Sequence, residues 1–205
     1  HGGPGLAHNY LYPHFKRLSE HFNVIFYDQR SNGRSSGNEN PCEITMDNFV
    51  TDLEEFRKSL KIDKLNILGQ SFGGVLALEY AIKYPENLKT LLLLESAGAS
   101  SDFVTKFQEN IKTRLTEDIE QQLEKITNSE EYKNGNSEVF KRHLSMFFKL
   151  YFYDVNYMQY LDISYFDDNI TKKCLLNNQL NSYLSNYNLF DQLYKISCPT
   201  LIIHG

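Results

Sequence analysis

The sequence predicts an α/β fold, a mostly parallel sheet with helices on both faces and a helical insertion. Three observations carry the prediction. Short apolar runs alternate with helix-period stretches over the first hundred residues. Residues 98 to 193 then show helical patterning without strands. Strand character returns at the end, in "CPTLIIHG".

The elements follow in order. "NVIFYD" (Asn23 to Asp28) is a β-branched and aromatic run bounded by polar residues, which predicts a buried strand. The Ser-, Asn- and Gly-rich "QRSNGRSSGNENP" predicts a loop. Thr45 is placed to cap a helix whose apolar positions Met46, Phe49, Val50, Leu53, Phe56 and Leu60 keep the helical period. "KLNILG" (Lys64 to Gly69) predicts a second strand, Ser71 to Tyr84 a helix stopped by Pro85, and "LKTLLLLE" (Leu88 to Glu95) a third strand. Beyond Gly98, the apolar residues Phe103, Phe107, Ile111, Leu115, Ile119 and Leu123 recur every fourth position, which predicts one amphipathic helix. The aromatic "VFKRHLSMFFKLYFYD" is helical as well. Its rings have two readings, the lining of an apolar pocket or the insertion's own core.

Composition limits the function. The chain has 205 residues and a formal net charge of −5, which speaks against nucleic acid, whose binders need a basic face. The longest purely aliphatic run is Leu91 to Leu94, far short of the roughly 20 apolar residues of a membrane-spanning helix. Cys42, Cys174 and Cys198 are odd in number and widely spaced. They are read as buried free thiols of a reducing cytoplasm, with neither a disulfide framework nor a zinc site. No metal or organic cofactor is expected.

The chemistry sits in "GQSFGG", residues 69 to 74. Gly69-Gln70-Ser71-Phe72-Gly73 fits G-x-S-x-G, with an apolar strand before it and a helix after. A serine on so sharp a turn leaves no room for side chains two residues away, and glycines at 69 and 73 remove that collision. Ser71 then stands at a helix N-terminus, whose partial positive charge favours a developing oxyanion. The bland alternative is a tight turn with an incidental serine. The second motif is "HGGPG", His1 to Gly5, whose glycines let backbone N–H groups approach a ligand. Beside an elbow it reads as the other half of an oxyanion hole.

"HGGPGLAHNYL", "VIFYDQRSNGRSSG", "ILGQSFGGVLALEYAIKYPENL" and "CPTLIIHG", in this order, resemble the α/β-hydrolase superfamily, and within it the proline iminopeptidase-like branch. The resemblance covers roughly residues 1 to 97 and 189 to 205. It implies an N-terminal part of the core over residues 1–97, a helical cap over 98–193 and the start of the C-terminal core over 194–205. It implies Ser71 as nucleophile, with the backbone N–H groups of Gly3 and Phe72 as oxyanion donors. His1 is expected to hold the oxyanion loop, and Asp28 to Ser36 to buttress it. Two residues depart from the pattern. Ser31 replaces a usual glycine, where left-handed backbone is strained. Phe72 replaces the usual Trp or Tyr, which puts proline specificity in question.

A nucleophilic serine needs a base, and the base an orienting acid. The resemblance puts both after "IIHG", outside residues 1–205. It also implies that the strand entering "HGGPG" lies between the "VIFYD" and "LNILG" strands, with little more than its last residue present. The chain is therefore expected to be incomplete at both ends, to expose unpaired sheet edges and to be inactive alone. Within it, Glu95 is the alternative acid, at a strand end where some proteins of this fold carry theirs. His143 reads as an ordinary residue of the insertion. The expected activity is a serine hydrolase acting through an acyl-enzyme on a small molecule or short peptide, with iminopeptidase-like aminopeptidase action favoured. The alternatives are a small carboxylester, lactone or thioester hydrolase, and a truncated, non-catalytic fragment.

Overall fold

A computed structural model describes residues 1–37 and 40–205. Asn38 and Glu39 of the predicted loop lie outside the described residues. The short helix α1 (Tyr12–Phe15) is followed by α2 (Met46–Ser59), β1 (Leu65–Gln70), α3 (Phe72–Lys83) and β2 (Leu88–Leu94). The insertion contributes α4 (Asp102–Lys112), α5 (Glu117–Asn128), α6 (Glu130–Lys133), α7 (Ser137–Phe148), α8 (Asp168–Leu176) and α9 (Asn181–Leu184), and β3 (Thr200–Ile203) closes the order. The three strands form one parallel sheet in the order β1-β2-β3.

Helix α2 starts as predicted, with the Thr45 hydroxyl accepting the Asn48 N–H at 3.3 Å. Its apolar stripe buries Met46, Phe49, Val50 and Leu53 against α3, while Leu60 ends exposed. Helix α3 is apolar nearly all round and buried on most of its faces, as suits a helix beneath a sheet and beside another helix. Between α2 and α3 lies a polar knot. The buried Glu54 carboxylate accepts hydrogen bonds from Arg57 Nε at 2.9 Å, Arg57 Nη2 at 2.7 Å, Tyr80 Oη at 2.8 Å and Asn87 Nδ2 at 3.2 Å.

Two expectations are corrected. Residues 23–29 belong to no strand. Their composition favours extended chain, but a strand also needs a hydrogen-bonded neighbour, and no ladder reaches this segment among the described residues. The single helix expected over 103–123 is two, α4 and α5. The break falls at Thr116, which adopts extended backbone and caps a new helix by accepting the Ile119 N–H at 3.4 Å. Glu117 and Asp118 then meet the positive end of α5. The every-fourth-residue period continues across the break, so apolar spacing alone hides it.

The insertion leaves and rejoins the core at one place. Leu189 N–H donates to Ala99 C=O and Ser101 N–H to Tyr187 C=O, both at 2.8 Å, around an antiparallel bridge of Ser100 with Asn188. Leu180, Tyr187 and Leu189 join the main core, whereas Phe140, Leu144, Phe166 and Cys174 form a second core within the insertion. Among the described residues, no helix is long and apolar enough to cross a membrane.

Strand β3 leaves Leu201, Ile202 and Ile203 exposed by 50–66%.

Candidate active site

Ser71 has φ 52° and ψ −121°, a conformation that L-residues avoid. The turn that imposes it is locked from several sides. Ser71 N–H donates to Leu94 C=O at 3.2 Å, and Ser71 C=O accepts from Gly74 N–H at 2.9 Å and Ala97 N–H at 3.1 Å. A Cβ on Gly69 would fall 2.3 Å from the Gly73 carbonyl oxygen, so Gly69 is required as the motif argument holds. Gly73 has a different reason. Its Cβ would fall 2.6 Å from the His1 carbonyl oxygen, so the bareness of this glycine admits the HGGPG loop.

Ser71 occupies the N-cap position of α3, yet its side chain makes no capping hydrogen bond. A serine there ordinarily accepts an N–H of the first turn. Among the described residues, Ser71 Oγ has no hydrogen-bond partner. The turn thus holds a free hydroxyl at the positive end of a buried helix.

The HGGPG loop lies against Ser71. A Cβ on Gly2 would stand 3.1 Å from Ser71 Cβ. His1 fixes the loop through both ring nitrogens. Gln29 N–H donates to His1 Nε2 at 3.2 Å, which makes Nε2 the acceptor. Nδ1 then carries the proton and donates to Gly2 C=O at 2.8 Å. Gln29 Nε2 also donates to His1 C=O at 2.8 Å. The Gly2 carbonyl and the Gly3 N–H share one planar peptide, so anchoring the former orients the latter. Gly3 has φ 128°, and a Cβ on it would lie 2.6 Å from the Gly5 nitrogen.

Asp28 supports the loop one layer further out. It accepts from His8 N–H and His8 Nδ1 at 2.8 Å each, and from Arg34 N–H at 3.1 Å. Ser31 takes φ 57°, the left-handed geometry expected for that position, and its hydroxyl fills the space that a Cβ on Gly37 would need. The insertion also reaches the loop. Tyr165 Oη accepts the Ala7 N–H at 3.0 Å, and Cys174 Sγ lies 2.5 Å from where a Gly5 Cβ would be. Burial pushes the Cys174 thiol up to about 12, so it stays protonated and serves as packing. Cys42, in contrast to the expectation of buried thiols, is exposed.

Phe72 turns its ring into the core, 2% exposed and edge-to-face with Phe49 at 6.2 Å. Glu95 directly follows β2 with φ 44°, its carboxylate accepting the Gly205 N–H at 2.7 Å and standing 3.5 Å from His204 Nδ1. His143 lies among Tyr132, Phe140 and Phe147, where burial lowers its pKa. His14 and His21 are exposed. Two residues that the sequence reading passed over belong to the site, Tyr10 and Gln70. Their hydroxyl and amide meet across sixty positions of chain, and no local pattern signals it.

Comparison with known proteins bears on the family and the fold. A proline iminopeptidase of Saccharolobus solfataricus is 43% identical over 102 residues, 49% of this chain and 32% of that protein. A 1-acylglycerol-3-phosphate O-acyltransferase of Arabidopsis thaliana is 35% identical over 119 residues, 54% of this chain and 28% of that protein. The chain thus spans about a third of the length of these relatives. The crystal structure of a proline iminopeptidase of Mycobacterium smegmatis superposes with a TM-score of 0.67 at 21% identity, covering 98% of this chain and 70% of that one. The family model of the α/β hydrolase fold matches residues 1–205 throughout, and with the strained serine between β1 and α3 in place, this chain belongs to the α/β-hydrolase family.

Proposed function

We propose that the protein carrying this chain is a serine hydrolase that works through an acyl-enzyme on Ser71. One observation carries the reading: a strained N-cap serine whose hydroxyl is withheld from capping. In the reaction a base removes the Ser71 proton as Oγ attacks the substrate carbonyl carbon. The carbonyl oxygen becomes an oxyanion beside the Gly3 and Phe72 N–H groups. The tetrahedral adduct collapses, the leaving group takes the proton from the base, and an ester on Ser71 remains for water to hydrolyse. Each oxyanion donor is worth on the order of 10²–10³ in rate.

The base and its orienting acid are proposed to come from outside residues 1–205. No histidine hydrogen-bonds Ser71 Oγ among the described residues, which supports this. Glu95 remains the alternative acid, on its place beside the elbow turn. Residues 98–193 are proposed to form a cap, supported by the hold of Tyr165 and Cys174 on the loop. Three free cysteines support the cytoplasm as the location.

Aminopeptidase action on short peptides is the favoured substrate class, supported by the proline iminopeptidase relatives and the HGGPG loop. The second reading is ester or thioester chemistry, favoured by the acyltransferase similarity. The protein in its full length is to be labelled with a fluorophosphonate and assayed with proline and alanine arylamides beside short acyl esters. Labelling at Ser71 and preference for the proline arylamide are expected. An unlabelled Ser71 overturns the nucleophile, and preference for the esters overturns the peptidase reading.

A further inference from the structure

The two oxyanion donors lie on separate elements, Gly3 on the HGGPG loop and Phe72 at the start of α3. Something must set the gap between them. His1 and Gln29 anchor the loop on one side only. On the other side Gly2 N–H donates to Tyr10 Oη at 2.7 Å, and Tyr10 Oη donates to Gln70 Oε1 at 2.6 Å. Gln70 directly precedes Ser71, and Gly2 directly precedes Gly3. The phenol therefore ties the residue before one donor to the residue before the nucleophile.

We propose that Tyr10 is a positioning residue that clamps the oxyanion loop to the nucleophile elbow and sets the spacing of the two donors. The inference rests on the reading of Ser71 as nucleophile. Its physical basis is that Gly2 is buried, so its N–H has a strong need for an acceptor. Only a group that accepts and donates at once can bridge an N–H to an amide oxygen, and a phenol does both. Burial raises the Tyr10 pKa well above the ordinary phenol range, which keeps the donating proton in place. The fit is tight, since a Cβ on Gly2 would lie 2.5 Å from Gln70 Oε1 and 2.9 Å from Tyr10 Oη. No substrate contact is required of Tyr10.

The test uses the protein in its full length, with reactive serines counted by fluorophosphonate titration. Tyr10→Phe keeps the ring and removes the clamp. The kcat per titrated serine is expected to fall about tenfold to a hundredfold with KM nearly unchanged, because displacement of a donor by an ångström acts on the transition state. Gln70→Met removes the same clamp from its other end and leaves Tyr10 in place. The double variant is expected to lose no more than the worse single variant, since both break one connection. A purely structural role would lower the melting temperature and the count of reactive serines but not the turnover of each. Unchanged kcat per serine in Tyr10→Phe, or losses that multiply in the double variant, overturns the proposal. A parent protein that takes no label at Ser71 overturns the nucleophile reading and this inference together.

Discussion

Replacing Ser71 with glycine is expected to abolish hydrolysis and to stabilise the fold. The first effect is large. Loss of a catalytic serine costs on the order of 10⁶ in kcat where the rest of the machinery is intact. The second follows from backbone strain. At φ 52°, ψ −121° a side-chain-bearing residue stores roughly 1–3 kcal/mol. Glycine relieves that strain but loses more chain entropy on folding, by about 0.5–1 kcal/mol. The net expectation is a gain of about 1 kcal/mol. Ser71→Ala gives the control, losing the activity while keeping the strain. Calorimetry that ranks Ser71→Gly no more stable than Ser71→Ala would sink the idea that the turn stores strain.

The second large effect concerns Glu54, which is 3% exposed and four times hydrogen-bonded. Glu54→Ala leaves the Tyr80 hydroxyl buried without its acceptor and Arg57 without its counter-charge. Breaking one side of such a buried pair costs about 3 kcal/mol or more. The pH dependence has a definite sign. The Arg57 hydrogen bond, helped by the bond from Tyr80 and opposed by burial, holds the Glu54 carboxyl down at about 2, against 4.5 unperturbed. A depressed folded-state pKa gives stability that is complete above pH 4.5 and is lost as the pH falls through 2. Urea midpoints of the parent should therefore fall across that window, and those of Glu54→Gln should be flatter there. Parallel curves would remove Glu54 as the acid-sensitive group.

Phe72 shows how the structure changes a specificity argument. Its identity departs from the Trp or Tyr usual in the iminopeptidase-like branch, and by sequence that bears on substrate choice. Its ring is packed edge-to-face on Phe49 and is 2% exposed, a part of the core. At this position the side chain answers to core packing.

The elements that the sequence located well are those with a local physical cause. Thr45 caps α2 because its hydroxyl reaches an N–H three residues on. Pro85 ends α3 because it cannot continue the ladder. Strands β1 and β2 are legible because each is a short apolar run bounded by polar or turn-forming residues. Failures occurred where the cause is not local. "NVIFYD" has strand composition, but pairing depends on a neighbour. The period from Phe103 to Leu123 runs across a break that one capping threonine decides.

The same division holds at the site. G-x-S-x-G beside a strand and a helix marked the elbow by sequence alone, because the strand, the strained serine and the required Gly69 are neighbours in the chain; the reason for Gly73, contact with His1, is not local. HGGPG likewise announced a glycine-rich loop, which the structure packs against Ser71 and Gly73. Only the tertiary structure decided what holds the two together: His1 with Gln29 on one side, Tyr10 with Gln70 on the other, Tyr165 and Cys174 from the insertion. These contacts join residues 28, 60 and about 160 or more positions apart. Hydrogen-bond partners at such separations are chosen by how the chain packs, and single-residue preferences do not encode them.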